Sequence, residues 1–143
     1  MIPSEGESRT GSRGTQAMKL LVVNPNTTAS MTAKIGAAAR AVAAPGTDIM
    51  AVNPDTGPVS IEGYYDEVFA VPGLLEEIRK GEAAGCEGTI LACFDDTGLD
   101  AARSLAHGPV VGICEAAMHT AVLLGAVFLS LPRCGGPSPP LSG

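Results

Sequence analysis

A thiol and two carboxylates follow directly on an apolar run in residues 89–98, Thr-Ile-Leu-Ala-Cys-Phe-Asp-Asp-Thr-Gly. The run reads as a buried strand that delivers Cys93 to the rim of a sheet. In an open α/β sheet, ligands collect in the crevice beyond the carboxyl ends of the strands, so a side chain just past such a run stands where chemistry is done. Cys93 has two readings. It is a small hydrophobe completing a core, or a proton carrier whose reactivity depends on how readily its thiolate forms. Asp96 or Thr97 is suited to cap a short helix over 97–106, and the positive end of that helix favours a thiolate at Cys93. Asp95 and Asp96 repel a second negative charge and act in the opposite direction.

The other thiols give less. Cys86, Cys114 and Cys134 make no CxxC pair with one another or with Cys93, and only two histidines accompany them, which disfavours a zinc site. Reduced thiols in a cytoplasmic protein are the simplest expectation. The chain has 143 residues and a formal charge of -6, without the Lys and Arg clusters that a phosphate backbone rewards, so a nucleic-acid partner is not expected. No apolar run reaches the length of a membrane span, and no membrane partner is expected.

Cys93 needs a scaffold, and the chain offers one. Residues are 45% hydrophobic and only 3% aromatic, a composition suited to close packing of helices on a sheet. Residues 1–17 are polar, lack periodicity and read as a disordered extension. Leu20-Leu-Val-Val23 reads as a first strand, stopped by Pro25. Asn26 or Thr27 then caps a helix over 28–42 that presents Met31, Ile35, Ala38 and Val42 on one face. Residues 48–52 form a second strand. After a loop over 55–63, a helix over 64–84 is interrupted or restarted at Pro72-Gly73 and turns Leu74, Leu75 and Ile78 to the core. Glu76 and Lys80 make a solvated pair worth roughly 0.3 kcal/mol.

The third strand covers 88–93, the fourth 110–113, and a helix over 115–124 follows it; 126–131 is suited to begin a fifth strand. Strands alternating with helices through short connections predict an α/β fold with a parallel four- to five-stranded sheet, helices on both faces, in a flavodoxin-like single lobe. The turns after Val23, Val52, Cys93 and Ile113 then share one edge. Helix amino termini near Thr28, Thr97 and Glu115 make that edge suited to a carboxylate, a phosphate or an enolate oxygen. No Walker or GxGxxG pattern supports a phosphate loop.

Four motifs in order, Asn24-Pro-Asn-Thr-Thr28, Gly57-Pro-Val-Ser-Ile-Glu62, Ala92-Cys-Phe-Asp-Asp96 and Gly112-Ile-Cys-Glu-Ala116, resemble the hydantoin and allantoin racemase branch of the aspartate/glutamate racemase superfamily. The resemblance implies a cofactor-independent isomerase with two similar α/β lobes, each contributing one cysteine, and a small hydantoin, allantoin or amino-acid derivative held between them. The chemistry explains the pair. Inverting a carbon beside a carbonyl needs a base on one face and an acid on the other, since one group returning its own proton restores the original hand.

By resemblance, Cys93 matches the first-lobe catalytic thiol, and Asn26, Ser60, Phe94, Gly112 and Ile113 fall on positions that line the substrate pocket. Each also has a plainer reading. Asn26 caps its helix, Ser60 shapes its loop, and Glu115 sits favourably at a helix start. Cys114 reads as packing and Cys86 as incidental to a connection. His119 reads as a structural histidine within an apolar helix, and His107 as a complement to a helix carboxyl end.

The resemblance fades after residues 124–129. Members of the family run to about twice the matched length, with the second cysteine in the following half, and Cys134 sits in a Pro/Gly-rich tail over 131–143 that gives it no support. The expectation is therefore an amino-terminal lobe over 18–130, shortened and weakly active or inactive. Two alternatives stand beside it: a single-cysteine decarboxylase or cis-trans isomerase of small acids, and a non-catalytic lobe that binds a small molecule or pairs with a second copy.

Overall fold

The computed structural model describes residues 17–125. Residues 1–16 of the expected extension, the fifth strand over 126–131 and the tail with Cys134 lie outside the described residues. Four strands and four helices alternate: β1 (Lys19–Val23), α1 (Ala29–Val42), β2 (Asp48–Val52), α2 (Tyr64–Ala83), β3 (Gly88–Leu91), α3 (Leu99–Leu105), β4 (Val110–Gly112) and α4 (Ile113–Leu123). All pairings are parallel, in the order β2-β1-β3-β4. The expected flavodoxin-like α/β arrangement is the one observed.

The register explains how each face is covered. Leu21 pairs with Met50 and Val22 with Ala51, so alternate residues serve opposite faces. Leu21 and Val23 join Leu74 and Ile78 of α2, Leu91 of β3 and Ala102 of α3 in one core. Leu21, Leu74, Ile78 and Leu91 are fully buried, and each such side chain contributes about 1.5–3 kcal/mol. The Val22 and Ala51 face receives α1. The helix meets it through Gly36, where an added Cβ would come within 2.7 Å of the Ala51 Cβ.

That close approach corrects the expected α1 face. Thr32 and Gly36 are the buried residues of the helix, whereas Met31 and Val42 are 44% and 85% exposed, and Ala38 is exposed as well. Gly36 lies inward because its missing side chain lets the helix backbone settle against the sheet.

Helix α2 runs unbroken through Pro72, against the expected interruption. Ala70 and Leu74, fully buried on either side of the proline, hold both halves to the same core. Together with the burial of Ile78 they offset the roughly 3 kcal/mol that an interior proline costs. The expected Glu76–Lys80 pair is also replaced. Lys80 Nζ donates to Glu77 Oε1 at 2.6 Å, because the Glu77 carboxylate is nearly buried and takes the nearest cation on the helix surface.

Cys86 belongs to the core rather than to an incidental connection. It is 8% exposed, 3.9 Å from the Met50 sulfur, and burial pushes its thiol pKa up. Among the described residues, no helix is long and apolar enough to cross a membrane, and no cluster of three or more His, Cys, Asp or Glu is placed to hold a metal.

Candidate active site

Sheet hydrogen bonding runs past the strands into the loops of one edge. The Asn24 N–H donates to Val52 O at 2.9 Å and the Ala92 N–H to Val23 O at 2.8 Å, while Leu91 pairs with Gly112. The residues after β1, β3 and β4 therefore start side by side. Cys93 emerges from the central part of this edge, half-buried, against the partly covered rim of the core. Its thiol donates to the hydroxyl of the buried Thr97 at 3.5 Å.

The loop after β1 is a buried polar knot. Asn24 Nδ2 donates to Asn26 Oδ1 at 2.8 Å and to Thr32 Oγ1 at 3.1 Å, and the Thr32 hydroxyl donates to Asn53 Oδ1 at 2.7 Å. Asn26 Oδ1 also accepts the Thr28 N–H at 3.0 Å, so its oxygen braces the turn entering α1. Thr28 is the N-cap residue, with no side-chain cap of its own, in place of the expected Asn26 or Thr27. Among the described residues, the Asn26 amide nitrogen meets only a thioether, Met31 Sδ at 3.4 Å. Of the side chain's polar groups, that N–H keeps the weakest partner.

Ser60 lies in the loop between β2 and α2, exposed, with its hydroxyl donating to Glu62. This loop is tied to the first one. The Thr27 N–H donates to Pro58 O at 3.0 Å and the Thr28 hydroxyl to Val59 O at 2.8 Å. Phe94, 63% exposed, walls an apolar cavity of about 210 Å³ together with Cys114, Ala117, Met118 and Ala121, and Cys93 is not in that wall. Gly112 is buried at the end of β4, and Ile113 begins α4 at 40% exposure. The structure thus gathers Asn26, Cys93 and Gly112 on one edge, with Ile113 opening the helix that starts there. Ser60 approaches through the tethered second loop, and Phe94 faces the side of α4.

The expected cap of α3 is not there. Its N-cap residue is Gly98 in the left-handed region, and neither Asp96 nor Thr97 caps it with a side chain. Asp96, at φ 51, turns its carboxylate away toward α4 instead. It accepts the Cys114 N–H at 2.9 Å and the Glu115 N–H at 2.7 Å. The amino end of α4, expected to be open to a ligand, is filled by this carboxylate. Nothing in the local sequence announced it, because the contact joins residues eighteen and nineteen positions apart.

Glu115 is more than a residue at a helix start. Arg103 grips its carboxylate with both terminal nitrogens, at 3.0 and 2.7 Å, and its Nε donates to Val110 O at 3.2 Å. The guanidinium holds the Glu115 carboxyl below its usual range. Cys114 behaves as packing in the apolar wall, and burial, followed by the charges of Asp96 and Asp95, pushes its thiol up. His119 is exposed on α4, so it is not the enclosed structural histidine expected. His107 reaches Glu82 of α2 at 3.0 Å rather than the end of α3, because a carboxylate offers it more than partial helix charge.

Fold and edge together define a parallel α/β lobe that presents a partly buried thiol beside a polar first loop. The chain belongs to the Asp/Glu/hydantoin racemase family, whose sequence model matches residues 20–131. It is 50% identical over 111 residues to the hydantoin racemase of Pseudomonas sp. (strain NS671), covering 78% of this chain and 45% of that one. It is 49% identical over 119 residues to the hydantoin racemase of Rhizobium meliloti, covering 81% and 49%. Among solved structures it resembles allantoin racemase from Klebsiella pneumoniae, with a TM-score of 0.72, 58% identity, and coverage of 74% of this chain and 43% of that one. Allantoin racemase from Pseudomonas fluorescens gives a TM-score of 0.71 at 36% identity, covering 82% and 51%. The chain spans about half the length of these relatives.

Proposed function

We infer that the chain supplies one thiol-bearing lobe of a cofactor-independent racemase acting on a hydantoin, allantoin or related amino-acid derivative. The observation that carries this reading is the near 50% identity to hydantoin racemases over a match that includes Cys93 at the carboxyl edge of β3. In the proposed step the Cys93 thiolate removes the proton from the carbon beside a carbonyl. The electron pair of that C–H bond passes to the carbonyl oxygen as an enolate, and the thiol now carries the proton. Asn26 Nδ2 is the donor best placed in this reading to meet a substrate carbonyl, since its present acceptor is a weak one. Ser60, Phe94, Gly112 and Ile113 complete the pocket in the same reading.

Return of a proton from Cys93 restores the original hand. Inversion needs a second acid on the opposite face, and among the described residues the other thiols do not supply it: Cys86 is in the core and Cys114 in an apolar wall. The lobe by itself therefore exchanges the proton and is weak or inactive as a racemase. A reducing cytoplasmic compartment, which keeps Cys93 a free thiol, suits this chemistry. The partners in this reading are the small-molecule substrate and, as an oligomeric contact, a second copy of the chain. Helix α4 buries none of its residues, and Val122, Leu123 and Leu124 are 61%, 86% and 78% exposed.

The test is deuterium exchange into a 5-substituted hydantoin, followed by NMR and polarimetry together. Slow exchange at the ring carbon with retained rotation, lost in Cys93→Ser, is the expected result. Exchange that is equally fast in Cys93→Ser would sink the assignment of that thiol.

A further inference from the structure

Two thiols, Cys93 and Cys114, occupy the same end of the lobe, and Asp96 bridges the turn of the first and the helix of the second. Its N–H donates to Cys93 O at 3.0 Å, which closes the turn that carries Cys93. Its carboxylate accepts the N–H groups of Cys114 and Glu115. A cysteine in the first turn of a helix ordinarily gains thiolate character from the free N–H groups and the positive end of the helix. At α4 those groups are taken by a carboxylate, and Cys114 is left against Phe94, Ala117, Met118 and Ala121.

Gly112 is shaped to this contact. A Cβ at Gly112 would overlap the Asp96 carboxylate, so the close approach depends on the missing side chain. Asp96 also accepts a left-handed backbone, at φ 51, which a non-glycine residue adopts at a cost of about 1 kcal/mol or more. Two departures from local preference, at residues sixteen apart, serve one contact.

We propose that Asp96 is a positioning residue that divides the two thiols by role: it clamps the Cys93 turn onto the amino end of α4 and, by filling that end, keeps Cys114 a spectator. The proposal rests on the reading of Cys93 as the working thiol. The charged groups facing Cys114 are consistent with it. Burial first, and then Asp96 and Asp95, oppose a thiolate there, and Glu115 is neutralised by Arg103.

The test is alkylation of the full chain by iodoacetamide, with peptide mass spectrometry reading each cysteine separately, in the wild type, Asp96→Asn and the distant control Glu82→Gln. In Asp96→Asn the Cys93-to-Cys114 rate ratio near neutral pH falls on the order of tenfold, because one unit of thiol pKa is a tenfold change in thiolate. The Cys114 pH profile moves to lower pH while core Cys86 stays protected. Glu82→Gln leaves the ratio unchanged. A Cys114 rate and profile identical to wild type, with Cys86 protected, overturns the proposal.

If Asp96→Asn unfolds, Cys86 reports it, and the wild type decides. Amide hydrogen exchange at Cys114 and Glu115 is then expected to be slow, although first-turn amides lack helix partners. Fast exchange at both overturns the clamp. These readouts do not depend on turnover. Loss of the racemase reading through an unaltered Cys93→Ser therefore leaves the Asp96 result legible on its own.

Discussion

Asn24 and Asn26 share a hydrogen bond, Nδ2 to Oδ1 at 2.8 Å, that is almost wholly closed to water, with the two residues 1% and 7% exposed. It links the first loop to α1 through Thr28 and Thr32 and to the second loop through Asn53. The edge that carries the candidate site is thus braced from inside. Asn24→Ala removes the donor shared by Asn26 and Thr32 and the side-chain oxygen that accepts the Asn26 N–H, and is expected to lower stability by about 1–3 kcal/mol in urea titration. A loss near zero would mean that the loops are held by their backbone bonds alone.

Asn26→Asp separates structure from substrate contact. Aspartate retains the oxygen acceptors for Asn24 and the Thr28 N–H, loses the N–H now facing Met31 Sδ, and adds a negative charge that those two donors partly offset. In the proposed reaction the KM for hydantoin exchange rises on the order of tenfold, the scale of one lost hydrogen bond, while the lobe stays folded with a modestly lower melting temperature from the added charge. Unfolding together with activity would instead assign Asn26 to the loop.

At the opposite edge of the sheet, Glu82 accepts from the His107 N–H at 2.7 Å, from the Gly108 N–H at 3.2 Å, and faces His107 Nδ1 at 3.0 Å. The hydrogen bond to the imidazole first, and then the two backbone N–H groups, hold the carboxyl below its usual range. A carboxylate depressed in the folded state contributes stability that is fully present above the unfolded carboxylate pKa of about 4.3 and is lost as pH falls through the folded value. The wild type is therefore expected to exceed Glu82→Gln in melting temperature at neutral pH, and the gap to close in acid. A gap that persists unchanged in acid would refute this role for the charge.

Pro72 is exposed in the middle of α2 and withholds one backbone hydrogen bond. With Ala70 and Leu74 already fixing the helix on either side, Pro72→Ala is expected to stabilise the lobe by about 1–3 kcal/mol. Chemical denaturation reads it directly. A destabilised variant would show that the fixed backbone angle of the proline outweighs the hydrogen bond it withholds.

What the residues announced by themselves was local in kind. Apolar runs ending in Asn24-Pro25, Asn53-Pro54 and Cys93-Phe-Asp marked three strands and the edge at which they stop, because a strand's period and its breakers are properties of neighbouring residues. The four spaced motifs likewise carried the family. The remainder was decided by contacts that no window of sequence contains. Whether α1 turns Met31 or Gly36 inward depends on the room above Ala51, and whether Pro72 breaks a helix depends on the core on either side of it. Asp96 looked like the cap of the helix that follows it. A left-handed turn and a bare Gly112 gave its carboxylate to another helix, because side-chain reach and backbone handedness act through space and not along the chain.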